Sequence, residues 1–170
     1  MKQIIYDLAE QKIIPYVFKI SKQPMLFREL LQANKLYNDG MAVEGNIPGF
    51  KIRLSRAYFV FILLWHIIII PGAYLFHGAL ADINCHLSIL LAIAFTSILF
   101  ASFPVFKANL VDIVTKKIIK QAWKNHFPHF GYDAHHIEVS NLYSEAIEKE
   151  VPPRDMQLFI LNQMVSDKKD

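Results

Sequence analysis

The sequence predicts an all-α fold, an integral membrane hairpin of two helices with a cytoplasmic helical domain formed by both termini. Two apolar runs of twenty residues each, 57–76 and 87–106, contain no Asp, Glu, Lys or Arg. All 18 Lys and Arg residues lie outside the stretch from Ala57 to Phe106, nine before it and nine after it. The remaining segments carry apolar residues at helical spacing. We therefore expect three regions: 1–56, the hairpin 57–106, and 107–170.

Each apolar run is long enough to cross a bilayer. A helix rises about 1.5 Å per residue, so twenty residues cover the roughly 30 Å of hydrocarbon. A charge at mid-span would cost about 2.5 to 3.5 kcal/mol, and neither run has one. The loop 77–86 contains no Lys or Arg, whereas both flanks are basic. Because basic residues stay inside, this pattern predicts a multi-pass protein of the inner membrane with both termini cytoplasmic. Since residues 1–50 are polar and broken by Pro and Gly, we expect no cleavable signal peptide.

The N-terminal region is expected to hold two helices. The first covers about 2–14 and stops at Pro15, and the second covers about 25–37. Asn38, Asp39 and Gly40 end the second helix, and a glycine-containing loop follows at 39–50.

The C-terminal region is expected to continue the second span as a helix, because an apolar stripe runs through Val111, Val114, Ile118 and Ala122. Residues 126–133 break that helix. A further helix is expected over 135–149, and Pro152 and Pro153 separate it from a last helix over 154–165. That last helix is apolar around most of its circumference, so it should pack on the N-terminal helices, another copy or a partner protein.

Polar residues inside the spans are the first candidate site. His66 lies near the bilayer midplane, and Ser97 and Thr96 lie at a similar depth in the second span. An ionisable residue at that depth indicates a functional role by default. Three roles stay open: a neutral histidine that locks the spans together, a proton or ion relay, or a haem ligand paired with a second copy. Small and hydroxyl residues also form stripes that allow close helix contact: Ser88, Ala92 and Thr96, and Ser97 with Ala101.

Two groups of histidines are candidate metal sites, because imidazole, thiolate and carboxylate suit zinc or copper. Neither group has the spacing of a strong metal signature, so an ordinary loop is the alternative for each. The outer group is His77, Asp82, Cys85 and His86; the inner group is His126, His129, His135 and His136. Aromatic residues interleaved near the inner group indicate an interfacial segment: Trp123, Phe127, Phe130 and Tyr132. A free thiol at Cys85 could also pair with a second copy, or have no role.

Basic residues near the ends of the spans are expected to contact lipid headgroups: Arg53, Arg56, Lys107, Lys116, Lys117, Lys120 and Lys124. The formal net charge is only +3. This modest, local excess favours membrane lipids as partners and does not favour nucleic acid.

The sequence contains no GxGxxG, Walker, CxxC, HExxH or GxSxG motif, and no motif identifies a family. We expect a noncatalytic structural, scaffolding or assembly subunit without a cofactor, presenting its helical domain to a membrane complex or to further copies of itself. One alternative is a homo-oligomeric channel or transporter component using His66, Thr96 and Ser97. The other is a haem- or metal-binding membrane protein.

Overall fold

A computed structural model describes residues 9–21, 23–81 and 85–166, with backbone alone at 9–10, 76–81 and 85. The protein is mostly helical, as predicted. Its described residues divide into two units. The hairpin unit combines the segment that ends at Lys19 with Ile52–Asp112. The helical unit combines Ile20–Lys51 with the segment that begins at Ile113.

The described part of the hairpin unit begins with a π-helical turn, Ala9–Ile13, and the short helix α1, Ile14–Val17. Since α1 contains Pro15 in its first turn, the prediction that the helical structure stops at Pro15 is wrong. The rest of the helix predicted over 2–14 lies outside the described residues. Strand β1, Phe18–Lys19, pairs with strand β2, Lys51–Ile52. These two-residue strands were not expected from the sequence. The long helices are α3, Leu54–Ala81, and α4, Cys85–His126; α4 begins in the hairpin unit and continues into the helical unit. Both helices run through the prolines that the sequence places inside them, Pro71 and Pro104.

Two helices are long and apolar enough to cross a membrane. The candidate spans are Leu54–Leu75 and His86–His126, whose most apolar windows have mean hydropathies of 2.0 and 2.3. Only 11% of the first window and 0% of the second is buried within the protein. A core helix of a soluble protein would be mostly buried. These helices instead expose their apolar surface, as expected of helices that face lipid.

The helical unit is built from α2, Phe27–Asn38, the end of α4, α5, Tyr132–Glu148, and α6, Met156–Ser166. Helix α2 ends where predicted. The Gly40 amide donates to the Tyr37 carbonyl and the Met41 amide to that of Leu36, while Gly40 has a φ of 68°. This is the Schellman arrangement, which favours glycine at the left-handed position.

The C-terminal helices confirm most of the sequence expectations. Helix α4 continues unbroken to His126, and Val114 and Ala122 of the predicted stripe are buried. The helix is broken at 127–131, as predicted. Pro152 and Pro153 lie between α5 and α6, where the sequence predicted a separation.

Aromatic residues from the end of α4 to the start of α5 fill the core of the helical unit, so the prediction of an interfacial aromatic segment is wrong for Trp123, Phe127 and Tyr132. Trp123 and Phe127 are each 1% exposed and Tyr132 is 7% exposed. The Trp123 indole N–H donates to the Phe130 carbonyl over 2.7 Å. Since that carbonyl lies in the helix break and accepts the bond, the indole is buried without losing a hydrogen bond.

Helix α6 buries one face. Met156, Ile160 and Met164, spaced four residues apart, are buried, and α6 packs against α5, a neighbour that the sequence analysis did not consider. Leu158 and Val165 remain 64% and 51% exposed. The apolar circumference of this helix is therefore only partly covered within the chain.

Candidate functional site

The polar residues inside the spans bond to their own helices. The His66 Nδ1–H donates to the Ile62 carbonyl over 2.7 Å. The Thr96 hydroxyl donates to the Ala92 carbonyl over 2.7 Å, and the Ser97 hydroxyl to the Ile93 carbonyl over 2.9 Å. A neutral histidine that locks the spans together would bond to Thr96 or Ser97, but each of these three groups instead bonds to a carbonyl one turn back in its own helix. The channel and haem roles of His66 stay predictions.

Among the described side chains, aromatic rings join the two candidate spans. Phe61 is 4% exposed, with its ring centroid 5.4 Å from that of Phe103 and 5.3 Å from that of Phe106. Trp65 contacts Phe95 across the hairpin at 5.7 Å. We name the rings that make these contacts the aromatic ladder: Tyr58, Phe61, Trp65, Phe95, Phe103 and Phe106.

The sequence analysis missed the aromatic ladder, although a signal was present. Tyr58, Phe61 and Trp65 follow the i, i+3, i+7 spacing that places side chains on one helix face. Aromatic pairs at these distances each contribute about 0.5 to 1.5 kcal/mol beyond the area they bury. The ladder therefore fixes which faces of the two helices meet.

The predicted small-residue stripes lie on exposed surface. They comprise Ser88, Ala92, Thr96, Ser97 and Ala101, and each of these residues is exposed. The stripes are thus accessible to lipid or to another helix.

The inner histidines have separate partners. His126 donates from Nε2 to the Met25 carbonyl over 2.7 Å, His135 bonds through Nδ1 to a Glu138 oxygen over 2.9 Å, and His129 is exposed. Across the described ranges, no three or more His, Cys, Asp or Glu side chains are arranged to hold a metal ion.

His136 joins α5 to α2 through two asparagines. Its main-chain carbonyl accepts from the Asn34 amide over 2.7 Å and from the Asn38 amide over 3.0 Å. Its Nδ1–H donates to the Asn38 side-chain oxygen over 2.8 Å, and its ring stacks on Tyr132 at 4.8 Å. We name Asn34, Asn38 and His136 the asparagine clasp. A helical spacing of four residues hints that the two amides share a face, but nothing local in the sequence identifies the acceptor.

Two lysines of α4, Lys116 and Lys120, shift the pKa values of Asp133 and His136. Lys120 forms an ion pair with Asp133 at 2.7 Å, and this bond lowers the pKa of the Asp133 carboxyl. The pKa of His136 is lowered mainly by burial and then by the positive charge of Lys116, while Asp133 acts in the opposite direction. His136 is thus favoured in its neutral form.

The outer histidine group lies mostly beyond what the structure describes. Asp82 and the side chains of His77 and Cys85 fall outside the described residues, and His86 is exposed at the start of α4. A metal site there stays a prediction.

The basic residues proposed to contact lipid have different surroundings. The Arg56 guanidinium donates to the Tyr16 carbonyl over 3.2 Å and lies 4.9 Å from the centre of the Tyr16 ring. Lys120 is engaged by Asp133, whereas Lys116, Lys117 and Lys124 are exposed and Arg53 and Lys107 are half-buried. Arg56 and Lys120 therefore serve internal contacts, which spacing alone did not reveal.

The helical unit also contains an open cavity of about 580 Å³, within the size range of small-molecule sites. It lies between residues 20–29, the loop at 47–48 and α4. Ile20, Met25 and Ile118 line its apolar part, and Gln121 and Asn125 contribute amides.

No protein-family model, curated protein or solved structure matches this chain. Its function is therefore argued from the surfaces described above.

Proposed function

We propose that the protein is a noncatalytic structural or assembly subunit of the inner membrane. Its hairpin is embedded in lipid with both termini in the cytoplasm, and its helical unit is presented to a membrane complex or to further copies of the chain.

The exposure of large apolar side chains on α3 and α4 carries this proposal. Ile67, Ile68 and Ile70 are between 63% and 67% exposed, and most large apolar residues from Leu87 to Val105 are exposed as well. In water such a continuous surface would cause association, whereas a bilayer covers it without cost. The basic flanks, and the absence of Lys and Arg from the loop 77–86, support the orientation.

The helical unit supports a scaffolding role. His126 bonds to the main chain at Met25 and His136 bonds to Asn38 of α2, while His135 bonds to Glu138 within its own helix, which are structural uses of these residues. Leu158 and Val165 of α6 remain exposed beside its buried face and offer an apolar contact to a partner.

Cysteine labelling tests the topology. Cys85 is the single cysteine, so a membrane-impermeant maleimide added to intact spheroplasts should label it from outside. In a C85S S166C variant, labelling should require permeabilisation. Protection of Cys85 together with labelling of the cysteine at position 166 from outside would reverse the proposed orientation.

Purification from native membranes tests the assembly role. After crosslinking and extraction in mild detergent, we expect the chain to elute with a partner or as a multimer, well above its 19.7 kDa. Leu158→Gln combined with Val165→Gln should reduce that recovery, whereas Gln157→Ala on the same helix should not. A lone monomer under all conditions would contradict the proposal.

A further inference from the structure

We infer that residues 9–19, which we name the strap, lie in the headgroup layer of the membrane and bind anionic phospholipid through Lys12 and Lys19. This inference rests on the proposed insertion of the hairpin. It adds a lipid-binding segment that the charge pattern near the spans did not identify.

The strap is fixed to the beginning of α3 within the hairpin unit. The Arg53 amide donates to the Val17 carbonyl over 2.8 Å, one residue before α3 begins. One turn later, Arg56 donates to the Tyr16 carbonyl and stacks over the Tyr16 ring. Two consecutive residues of the strap are thus bonded to the residues that enter the predicted span.

These bonds set the depth of the strap. The apolar run begins at Ala57, so Arg53 and Arg56 lie within about 6 Å of its start along the chain axis. The polar layer on each side of a bilayer is about 5 to 7 Å thick. Tyr16 is 42% exposed and Tyr58 is 36% exposed. Partly exposed tyrosines at this depth are typical of a membrane interface.

The charge of the strap fits an anionic headgroup. Lys12 and Lys19 are exposed, and Glu10 is the one carboxylate in the sequence of the strap, so residues 9–19 carry a formal charge of +1. Arg56 is already engaged with Tyr16, so it positions the strap while the two lysines face solvent or headgroups. Each lysine near an anionic surface gains about fivefold in binding.

A quenching experiment on the full chain tests this placement. A C85S Q11C variant, labelled at position 11 with an environment-sensitive fluorophore, is reconstituted into vesicles of phosphatidylcholine and phosphatidylglycerol. Two preparations of vesicles are compared. In one, the phosphatidylglycerol carries a spin label on its headgroup; in the other, the phosphatidylcholine carries it. We expect stronger quenching by labelled phosphatidylglycerol than by labelled phosphatidylcholine, and a smaller preference at high salt.

Substitutions test whether Lys12 and Lys19 cause the preference for phosphatidylglycerol. Lys12→Gln and Lys19→Gln should each lower the preference for phosphatidylglycerol about fivefold. Lys35→Gln and Lys149→Gln each remove one charge from the helical unit, where Lys35 pairs with Asp39 and Lys149 with Glu145, and each should leave the preference unchanged. Tyr16→Leu keeps every charge but removes the ring under Arg56, so it should weaken quenching by both lipids.

Two results would overturn the inference while the hairpin stays resistant to carbonate extraction: equal quenching by both lipids, or no quenching by either. Release of the whole chain by carbonate would instead overturn the proposed insertion, and the strap assignment with it.

Discussion

The hairpin unit and the helical unit use the same apolar residue types in opposite ways. Ile93 in α4 and Ile137 in α5 are each 60% exposed. Ile93 belongs to a run of exposed apolar side chains, whereas Ile137 lies on a helix whose other face packs into a core with Val139 and Leu142. The exposure of a single apolar side chain therefore does not show whether its helix faces lipid or water. A continuous exposed apolar surface does distinguish a lipid-facing helix from a helix of a soluble domain.

The largest difference between the units should appear on removing a buried indole. Trp123→Ala should destabilise the helical unit by about 3 to 5 kcal/mol, because it leaves a cavity and removes the donor to Phe130. Trp65→Ala, in the aromatic ladder, is the matched control and should leave that unit unchanged. Hydrogen exchange of peptides from 113–166 in the reconstituted chain measures both. Equal loss of protection in the two variants would contradict a separate core.

A charge placed on matched exposed isoleucines should separate the two surfaces. Ile93→Lys should impair membrane insertion by about 2.5 to 3.5 kcal/mol, since the ammonium would face hydrocarbon. Ile137→Lys should change stability by no more than about 0.5 kcal/mol. Membrane fractionation measures the first effect and chemical denaturation the second. If both variants insert and fold like the parent chain, α4 does not face lipid at Ile93.

A glycine in the loop before β2 should be intolerant of a side chain. Gly49 has a φ of 69°, and a Cβ there would lie 2.6 Å from the Cβ of Ser21. Gly49→Ala should therefore cost about 1 to 3 kcal/mol. Gly131→Ala is the control, because Gly131 has a φ of −66° and an added Cβ there would meet no atom within 4 Å. Gly49→Ala should lower the midpoint of chemical denaturation more than Gly131→Ala does. Equal midpoints would show that position 49 has room for a Cβ.

The smallest effect should come from protonation of His136. Its pKa is lowered in the folded chain from the ordinary 6.5, so the unfolded chain binds the proton more readily. The helical unit should therefore be most stable above about pH 6.5 and lose stability as the pH falls below it. His136→Asn should flatten this dependence below about pH 6.5, whereas His129→Asn, at an exposed position, should leave it in place. Asp133 titrates below this window, since its pKa is lowered from 3.8.

The sequence predicted those features that depend on neighbouring residues. The two apolar helices follow from composition, and the ends of α2 and α5 follow from Gly40 and from Pro152 with Pro153. The burial of Trp123 was not predicted, because an indole near a helix break suits an interface as well as a core. The asparagine clasp was not predictable either, since Asn34 and its acceptor are 102 residues apart. The spacing of apolar residues predicts which face of a helix a residue occupies, but it does not predict which distant segment packs against that face.

The asparagine clasp also implies an uneven tolerance to mutation. The two amides hold the main chain of residue 136, and a carbonyl is supplied by any amino acid at that position. In a saturation scan, position 136 should accept many residues, whereas positions 34 and 38 should reject nearly all. Position 34 needs a side-chain N–H donor of that length, and position 38 needs a side chain of that length that both donates and accepts. The histidine that first attracts notice in this corner would then be the most replaceable of the three.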